Sequence, residues 1–323
     1  MLTLLNIPFD NKFMYLGLIL FSFIAVLVLL KVFKSKLPKD AGREFAFNGK
    51  LSEGKARGAG IVFTAVFVLA SLIFAPLTVE YIIYYVIVLA SMLSGYLDDK
   101  SDKPWNEYKK GLIDLIICVG ASVAFVYFNP DLARLDFFFF DFAVNKILFV
   151  CISTVFLWMM INATNCSDGI DGFCGTLSIN SLIFIAVIGL ASGMDKSFSS
   201  LIIAMIFCIV PYLWFNAEPS TMMMGDAGSR AIGVFLGIAL LETGNIILAI
   251  PLCLLILLDG LLGIAKVSLK RFLKISIMKN IRTPLHDHFR KNKGWSNTQT
   301  IYRLNIIQAL ISFVVYMVVR GLA

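Results

Sequence analysis

Two adjacent carboxylates, those of Asp98 and Asp99, follow a long apolar run and begin a polar loop. Charged carboxylates at a membrane boundary are unfavourable unless a cation or a proton offsets them. Taken alone, the pair also fits the start of a solvated loop. It becomes a candidate site only together with the other acidic segments of the chain.

A second segment, residues 162–173, reads NATNCSDGIDGF and alternates polar side chains with glycines. Asp168 and Asp171 are three residues apart, which places them on one face if the segment turns helically. Asn162 and Asn165 repeat this spacing and add amide groups without charge. Because the glycines let a ligand approach the backbone closely, the pattern indicates a binding loop rather than a simple turn.

A third segment, residues 224–229, reads MGDAGS and opens an apolar helix. A glycine-rich turn into a helix N-terminus offers free backbone N–H groups and the positive end of the helix dipole to a phosphate. Asp226 in this turn could hold Mg2+, which prefers carboxylates, waters and phosphate oxygens. The simpler alternative is an ordinary turn that is capped by Ser229.

A basic loop at residues 283–299 contains the two histidines of the chain, His286 and His288, which flank Asp287. The loop suits a pyrophosphate, whereas zinc is disfavoured because neither a cysteine nor a third histidine lies nearby. Mg2+ and a nucleotide pyrophosphate would offset the aspartates of the acidic segments, a combination typical of phosphoryl transfer. The chain lacks the GxxxxGK[ST] pattern, which argues against an ATP-driven P-loop protein.

The composition indicates which elements position these segments. Of the 323 residues, 59% are hydrophobic and 15% are charged, with a mean hydropathy of +0.85; a soluble domain carries about 25% charged residues. Much of the surface must therefore face lipid. We predict an all-α polytopic integral membrane protein in which residues 1–323 form one domain. Ten candidate spans lie near residues 14–33, 58–77, 79–97, 111–128, 146–163, 176–193, 198–216, 229–244, 246–268 and 301–320.

The distribution of basic residues orients these spans. Of 28 Lys and Arg residues, 23 fall on one side of the predicted membrane, and basic residues in short loops favour the cytosolic side. Both termini are then predicted to be extracytoplasmic, with the acidic segments and the histidine loop on the cytosolic face. Because the basic residues cluster in separate loops, nucleic acid is not expected to be a partner.

With these motifs the chain resembles the polyprenyl-phosphate N-acetylhexosamine-1-phosphate transferases. The NATNCSDGIDG and MGDAGS runs carry the resemblance, which extends from the Asp98–Asp99 pair to the histidine loop. Residues 283–289 and 293–299 are similar to the branch that transfers phospho-N-acetylmuramoyl-pentapeptide. The resemblance implies ten helices in the bacterial inner membrane, in contact with membrane lipid, and allows a homodimer. It also implies Mg2+-dependent transfer from UDP-N-acetylmuramoyl-pentapeptide to undecaprenyl phosphate, which gives lipid I and UMP.

The resemblance further implies roles for individual residues. Asp98, Asp99, Asp226 and His286 are expected to be catalytic, and Asp226 is expected to be the Mg2+ ligand as well. The residues expected to contact the nucleotide sugar are Asn162, Asn165, Asp168, Asp171, Gly172, Phe173, Asn216, Met223 and His288.

Three positions depart from the family pattern. Asp287 replaces the middle residue of a motif that usually reads HHH, and Asp102 stands where the family often has a lysine. Met223 occupies a position where an aromatic residue commonly stacks on uracil, and Phe173 is the candidate to replace that ring. These differences bear on the identity of the sugar rather than on the class of reaction.

The expected reaction is attack of a lipid phosphate oxygen on the β-phosphorus of the UDP-sugar, with Asp98 either deprotonating or positioning the lipid. The sequence leaves open a one-step attack and a covalent aspartyl intermediate. The nearest alternative is a transferase of the same family that takes UDP-GlcNAc as its donor. A secondary transporter is a remote alternative, because its site would lie near the bilayer midplane, where charges such as Asp259 and Asp114 are scarce.

Overall fold

Helices form nearly all of the fold in the computed structural model, which describes residues 12–40, 42, 52–101, 105–136 and 141–322. The helices are α1 (Lys12–Phe33), α2 (Gly60–Phe74), α3 (Val79–Asp99), α4 (Glu107–Phe128), α5 (Lys146–Ser167), α6 (Phe173–Ala191), α7 (Lys196–Asn216), α8 (Gly225–Glu242), α9 (Ala249–Leu252), α10 (Leu254–Phe272), α11 (Leu285–Lys293) and α12 (Asn297–Leu322). The strands are β1 (Ala56–Arg57), β2 (Arg134–Asp136), β3 (Asp141–Ala143) and β4 (Met222–Met223). Strand β1 pairs with β4 in parallel, and β2 pairs with β3 in antiparallel orientation.

The helices confirm the predicted class, an all-α polytopic membrane protein. Within the described ranges, seven helices are long and apolar enough to cross a membrane, namely α1, α3, α4, α5, α6, α7 and α12. A bent pair that includes α9 and α10 makes an eighth span if it is counted as one. Helix α2 is apolar but has only 15 residues. The count of ten spans, the side of each terminus and the single domain stay predictions.

The predicted span at 246–268 is broken rather than continuous. The segment that ends with α9 meets α10 at an angle of 92°. Gln308 of α12 accepts a hydrogen bond from the Leu255 amide (3.0 Å) and donates to the Leu252 carbonyl (3.1 Å). Ser181 of α6 also donates to the Leu252 carbonyl (2.7 Å). Because backbone groups inside a bilayer must be satisfied within the protein, these side chains make the break tolerable.

Side-chain patterns explain which helices lie outside and which lies at the centre. On α1, one stripe that includes Leu18 and Val26 is buried, whereas Leu20 and Ile24 remain exposed. Both stripes are apolar, as expected of a helix with one face toward lipid. Helix α8 is buried along nearly its whole length and packs against α2, α3 and α5. It is the central helix of the fold.

Helices α3 and α8 run antiparallel in close contact. A Cβ atom at Gly95 of α3 would overlap the backbone of Asp226 and Ala227 at the start of α8. Glycine is therefore needed at this position, since a larger residue would separate the helices. The close approach brings the end of α3, with Asp98 and Asp99, beside the first turn of α8.

Candidate active site

The first turn of α8 is held beside the loop that precedes α2. In the β1–β4 ladder Arg57 pairs with Met223, and the Gly60 amide donates to the Met224 carbonyl (3.0 Å). Gly225 then turns the chain into α8 with a φ of 68°, which favours glycine. The ladder and this turn bring the side chains of Arg57 and Asp226 together.

Arg57 joins three carboxylates. Its guanidinium lies 3.1 Å from Asp40, 2.8 Å from Asp99 and 3.4 Å from Asp226. Burial lowers the pKa of Arg57, but the carboxylates of Asp99, Asp226 and Asp40 together raise it above its ordinary value. Arg57 is therefore a permanent cation in this cluster.

Two further bases reach Asp226 from neighbouring helices. Lys110 of α4 forms an ion pair with Asp98, and its ammonium is 3.8 Å from Asp226. Arg230, one turn further along α8, lies 3.0 Å from Asp114 and 3.6 Å from Asp226. Asp226 is thus surrounded by three cations, none of which the sequence analysis proposed. An informative signal was available, because Arg230 and Asp114 are charged residues inside apolar helices.

The charge balance of this aspartate cluster suits a divalent cation. Among the described residues, three bases face five aspartates, so the fully ionised cluster carries two excess negative charges; its members are Asp40, Asp98, Asp99, Asp114, Asp226, Arg57, Lys110 and Arg230. The Asp226 side chain is 13% exposed, against 5% for Asp98 and 0% for Asp99. The described residues contain no group of three or more His, Cys, Asp or Glu arranged to hold a metal ion. Because Mg2+ usually takes one or two carboxylates and completes its shell with water and phosphate oxygens, the cluster fits Mg2+ with Asp226 as the accessible ligand.

The two asparagines at the end of α5 differ in their contacts. Asn165 donates to the Ser229 hydroxyl of α8 (3.0 Å), one turn from Asp226. Asn162 donates to the Trp158 carbonyl of its own helix (2.8 Å). Asn165 therefore lies beside the aspartate cluster, whereas the side-chain amide of Asn162 is hydrogen-bonded within α5.

The loop between α5 and α6 is not helical, so Asp168 and Asp171 do not share a helix face. Helix α5 ends at Ser167 with Asp168 as its C-cap, and α6 begins at Phe173. Asp171 forms an ion pair with Lys55 (3.2 Å) and accepts a hydrogen bond from the Ser220 amide (3.2 Å). The loop is thereby tied to the segments that precede β1 and β4.

Three residues that were expected to contact the nucleotide sugar are largely buried. Asn216 is 3% exposed; it accepts from the Gly172 amide (2.7 Å) and donates to the Met222 carbonyl (2.9 Å). It therefore holds the loop in place. Phe173 is fully buried and Met223 is 9% exposed. The Phe173 ring has no open face in this structure, and its expected stacking on uracil stays a prediction.

The Phe173 ring instead supports His286, which a buried carboxylate orients. The two rings meet edge to face with centroids 5.8 Å apart. Asp259 of α10 accepts from the His286 amide (2.7 Å) and lies 2.8 Å from Nδ1 of the same residue. With Nδ1 directed to this carboxylate the ring is held in one orientation; His286 is buried, and its Nε2 lies 3.8 Å from Asp287. Sequence analysis noted Asp259 only as a charge within a span.

His288 lies in a different setting from His286. Its Nδ1 accepts a hydrogen bond from the Arg282 amide (3.3 Å), and its ring contacts Phe289. Asp287, which stands between the two histidines, accepts from Arg290 (3.3 Å). The histidine loop thus contains one imidazole that a buried carboxylate orients, that of His286. Asp102, the other departure from the family pattern, lies outside the described residues.

Comparisons with known proteins identify the family of this chain. The family model described as glycosyl transferase family 4 matches residues 81–244. The phospho-N-acetylmuramoyl-pentapeptide-transferase of Treponema pallidum (strain Nichols) is 38% identical over 296 residues, which cover 85% of this chain and 81% of the relative. Proteins of the same name from Wolbachia pipientis wMel and Dictyoglomus thermophilum are 28% and 27% identical, over 94% and 92% of this chain and 95% and 96% of their own lengths. This chain belongs to glycosyl transferase family 4 and, within it, to the phospho-N-acetylmuramoyl-pentapeptide-transferases.

Proposed function

We propose that this protein transfers phospho-N-acetylmuramoyl-pentapeptide from UDP-N-acetylmuramoyl-pentapeptide to undecaprenyl phosphate and so forms lipid I and UMP in the bacterial inner membrane. The observation that carries the proposal is the aspartate cluster, in which Asp226 faces three cations at the start of a buried helix. A site that binds phosphates is expected to combine cations with a helix N-terminus. The similarity to the Treponema transferase supplies the identity of the donor.

The reaction needs little covalent chemistry from the protein. An oxygen of the lipid phosphate attacks the β-phosphorus of the donor, the bond from that phosphorus to the bridging oxygen breaks, and UMP leaves with the bridging oxygen. Arg57, Lys110 and Arg230 are placed to neutralise charge on the reacting phosphates. Without substrate, the same bases neutralise the aspartates, so substrate phosphates would exchange partners with them.

Mg2+ is part of the proposal, and Asp226 is the residue that would hold it together with water and phosphate oxygens. When bound, the ion supplies Lewis-acid neutralisation of the phosphate charge. Asp98 and Asp99 stand nearby but pair more closely with Lys110 and Arg57 than Asp226 does, since Asp226 lies 3.8 and 3.4 Å from these two bases. Asp226 is the most open of the three, which makes it the preferred ligand.

Direct attack by the lipid phosphate is favoured over a covalent intermediate on Asp98. One oxygen of Asp98 accepts from the Trp105 amide (2.9 Å), and the other pairs with Lys110. A carboxylate held at both oxygens is suited to positioning a neighbouring cation rather than to attacking phosphorus. A phosphate monoester is already largely ionised near pH 7, so it needs no general base.

The test is release of UMP by purified protein in detergent, with undecaprenyl phosphate and Mg2+, from each of two donors. We expect UMP from UDP-N-acetylmuramoyl-pentapeptide and none from UDP-GlcNAc. Removal of Mg2+ with a chelator should stop the reaction, and its return should restore it. UMP from UDP-GlcNAc alone would assign the protein to the neighbouring branch of the family. If folded protein released no UMP from either donor, the proposal would be overturned.

A further inference from the structure

A basic cavity of about 650 Å3 lies apart from the aspartate cluster, between the end of α10 and the loop that leads into α11. No acidic residue lines it within the part of the chain that the structure describes, and a single aliphatic side chain is its only apolar component. Its polar lining consists of the cations Lys266, Lys279 and Arg282 and the neutral residues Asn280, Thr283 and Asn292. The cavity is therefore suited to an anion with hydrogen-bonding oxygens.

The three cations contribute differently to this cavity. The Lys266 ammonium donates to the carbonyls of Met278 (3.1 Å) and Ile281 (2.6 Å), so it fixes the shape of the loop. Lys279 is exposed and Arg282 is half-buried. Lys266 thus builds the cavity wall, and Lys279 and Arg282 are the residues available to bind an anion.

The cavity lies beside α11, which carries His286, and beside α10, which carries Asp259. On α10, Lys266 follows Asp259 by seven residues, which corresponds to about 10 Å along a helix. Asp259 is the residue that orients His286. Thr283 faces α10 at Gly263, where a Cβ atom would lie 3.5 Å from the threonine side chain. An extended group that begins near His286 could follow α10 into the cavity.

We propose that this cavity binds the terminal carboxylate of the donor peptide, with Lys279 and Arg282 as its ligands. The inference rests on the proposed function. A muramoyl group is joined to the amino end of its peptide, so the far end of the peptide is a free carboxylate. Five extended residues span up to about 17 Å, which is enough to cover the roughly 10 Å step along α10. Arginine also matches a carboxylate through parallel N–H bonds.

The headgroup of an acidic lipid is the competing ligand, since basic pockets at the cytosolic ends of membrane helices attract such groups. A bound lipid also needs an apolar wall for its chains. The lining of this cavity is polar at all positions except one. The observations therefore favour the peptide carboxylate.

The experiment compares two donors that differ by one charge: UDP-N-acetylmuramoyl-pentapeptide and the same nucleotide with its peptide ended by a carboxamide. The test variant is Lys279→Gln with Arg282→Gln. The matched control is Lys291→Gln with Lys293→Gln, which removes the same charge from exposed positions of α11 outside the cavity. UMP release is measured with vesicles of phosphatidylcholine alone and with added phosphatidylglycerol.

We expect wild-type protein and the control to show a KM about tenfold lower for the carboxylate donor, as one charge-assisted contact predicts. The test variant should have nearly equal KM values for the two donors, with kcat unchanged. A wild-type preference that survives in the test variant overturns the inference, as does a loss that is equal for both donors or confined to vesicles with phosphatidylglycerol. Absence of turnover of either donor by wild-type protein would instead count against the proposed function.

Discussion

Helices α3 and α8 bring acidic residues together at both of their ends, and the two ends differ in what surrounds the acids. At one end Asp99 and Asp226 contact Arg57. At the other end, Glu80 and Glu242 both lie within hydrogen-bonding distance of the Tyr84 hydroxyl, at 2.9 and 2.7 Å. Asn129 also donates to Glu80. We call Glu80, Glu242, Tyr84 and Asn129 the distal cluster.

The difference is between charged and neutral partners. The cations of the aspartate cluster neutralise its carboxylates and can be exchanged for substrate phosphates or a metal ion. In the distal cluster the partners are a phenol and an amide, and a hydroxyl has one proton to donate, so Tyr84 satisfies one glutamate at a time. Paired acids alone thus do not identify a catalytic site. The residues around the acids show whether their partners are cations or neutral hydrogen-bond donors, and this difference separates the two clusters.

Asp226→Asn should have the largest effect. The substitution keeps the size of the side chain but removes the charge that faces three cations. We expect UMP release to fall about a thousandfold, because electrostatic stabilisation and the metal ligand are lost together. The paired measurement is Glu242→Gln in the distal cluster, which should stay within about twofold of wild type. Equal losses in the two variants would remove the distinction between the ends.

Arg57→Ala should reduce UMP release about a hundredfold, since it leaves three carboxylates without their shared cation. Arg57→Lys keeps the charge but cannot reproduce the planar guanidinium, so it should recover only part of the activity. The melting temperature in detergent separates loss of activity from loss of folded protein. Full activity of Arg57→Lys would show that a point charge suffices.

Asp259→Asn should lower kcat about tenfold, with a smaller change in KM, because a displaced imidazole loses its alignment. Asp259 acts through His286 as a positioning residue. The same substitution should therefore have no further effect in a His286→Ala background. Additive losses in the double variant would show that Asp259 acts by another route.

Tyr84→Phe should have the smallest effect on catalysis and a clear effect on stability. It removes the hydroxyl that lies between Glu80 and Glu242 and leaves the buried Glu242 with only the long hydrogen bond from Asn129 (3.4 Å), which costs about 1–3 kcal/mol. We expect a lower melting temperature and an unchanged kcat per folded molecule. A large fall in kcat at unchanged stability would mean that the distal cluster takes part in turnover.

The residues that carry the acidic motifs were predictable from the sequence, and their partners mostly were not. Asp98, Asp99 and Asp226 occur in runs whose chemistry can be recognised locally. Arg57 reaches them only through the β1–β4 ladder, whose strands lie far apart in the sequence and are too short to show a periodic pattern. Long-range pairing of this kind is a property of the fold rather than of any window of sequence.

The predicted spans were likewise correct as apolar helices, but the break within the span at 246–268 was not predicted. Hydropathy is sufficient to identify an apolar helix such as α1, but it does not show that Gln308 and Ser181 satisfy a break between α9 and α10. The burial of Phe173 was not predictable for a similar reason. Position in a motif does not reveal that a ring is fully buried against His286.

The charged ends of α3 are separated by about the thickness of the hydrocarbon layer. Glu80 and Asp99 are 19 residues apart, which is about 28 Å along a helix, close to the roughly 30 Å thickness of the hydrocarbon layer. If α3 crosses the membrane upright, Asp226 lies near the plane of the headgroups, where the phosphate of a membrane-dissolved polyprenyl carrier also lies. The acceptor can thus reach the site by diffusing within its leaflet, without leaving the bilayer.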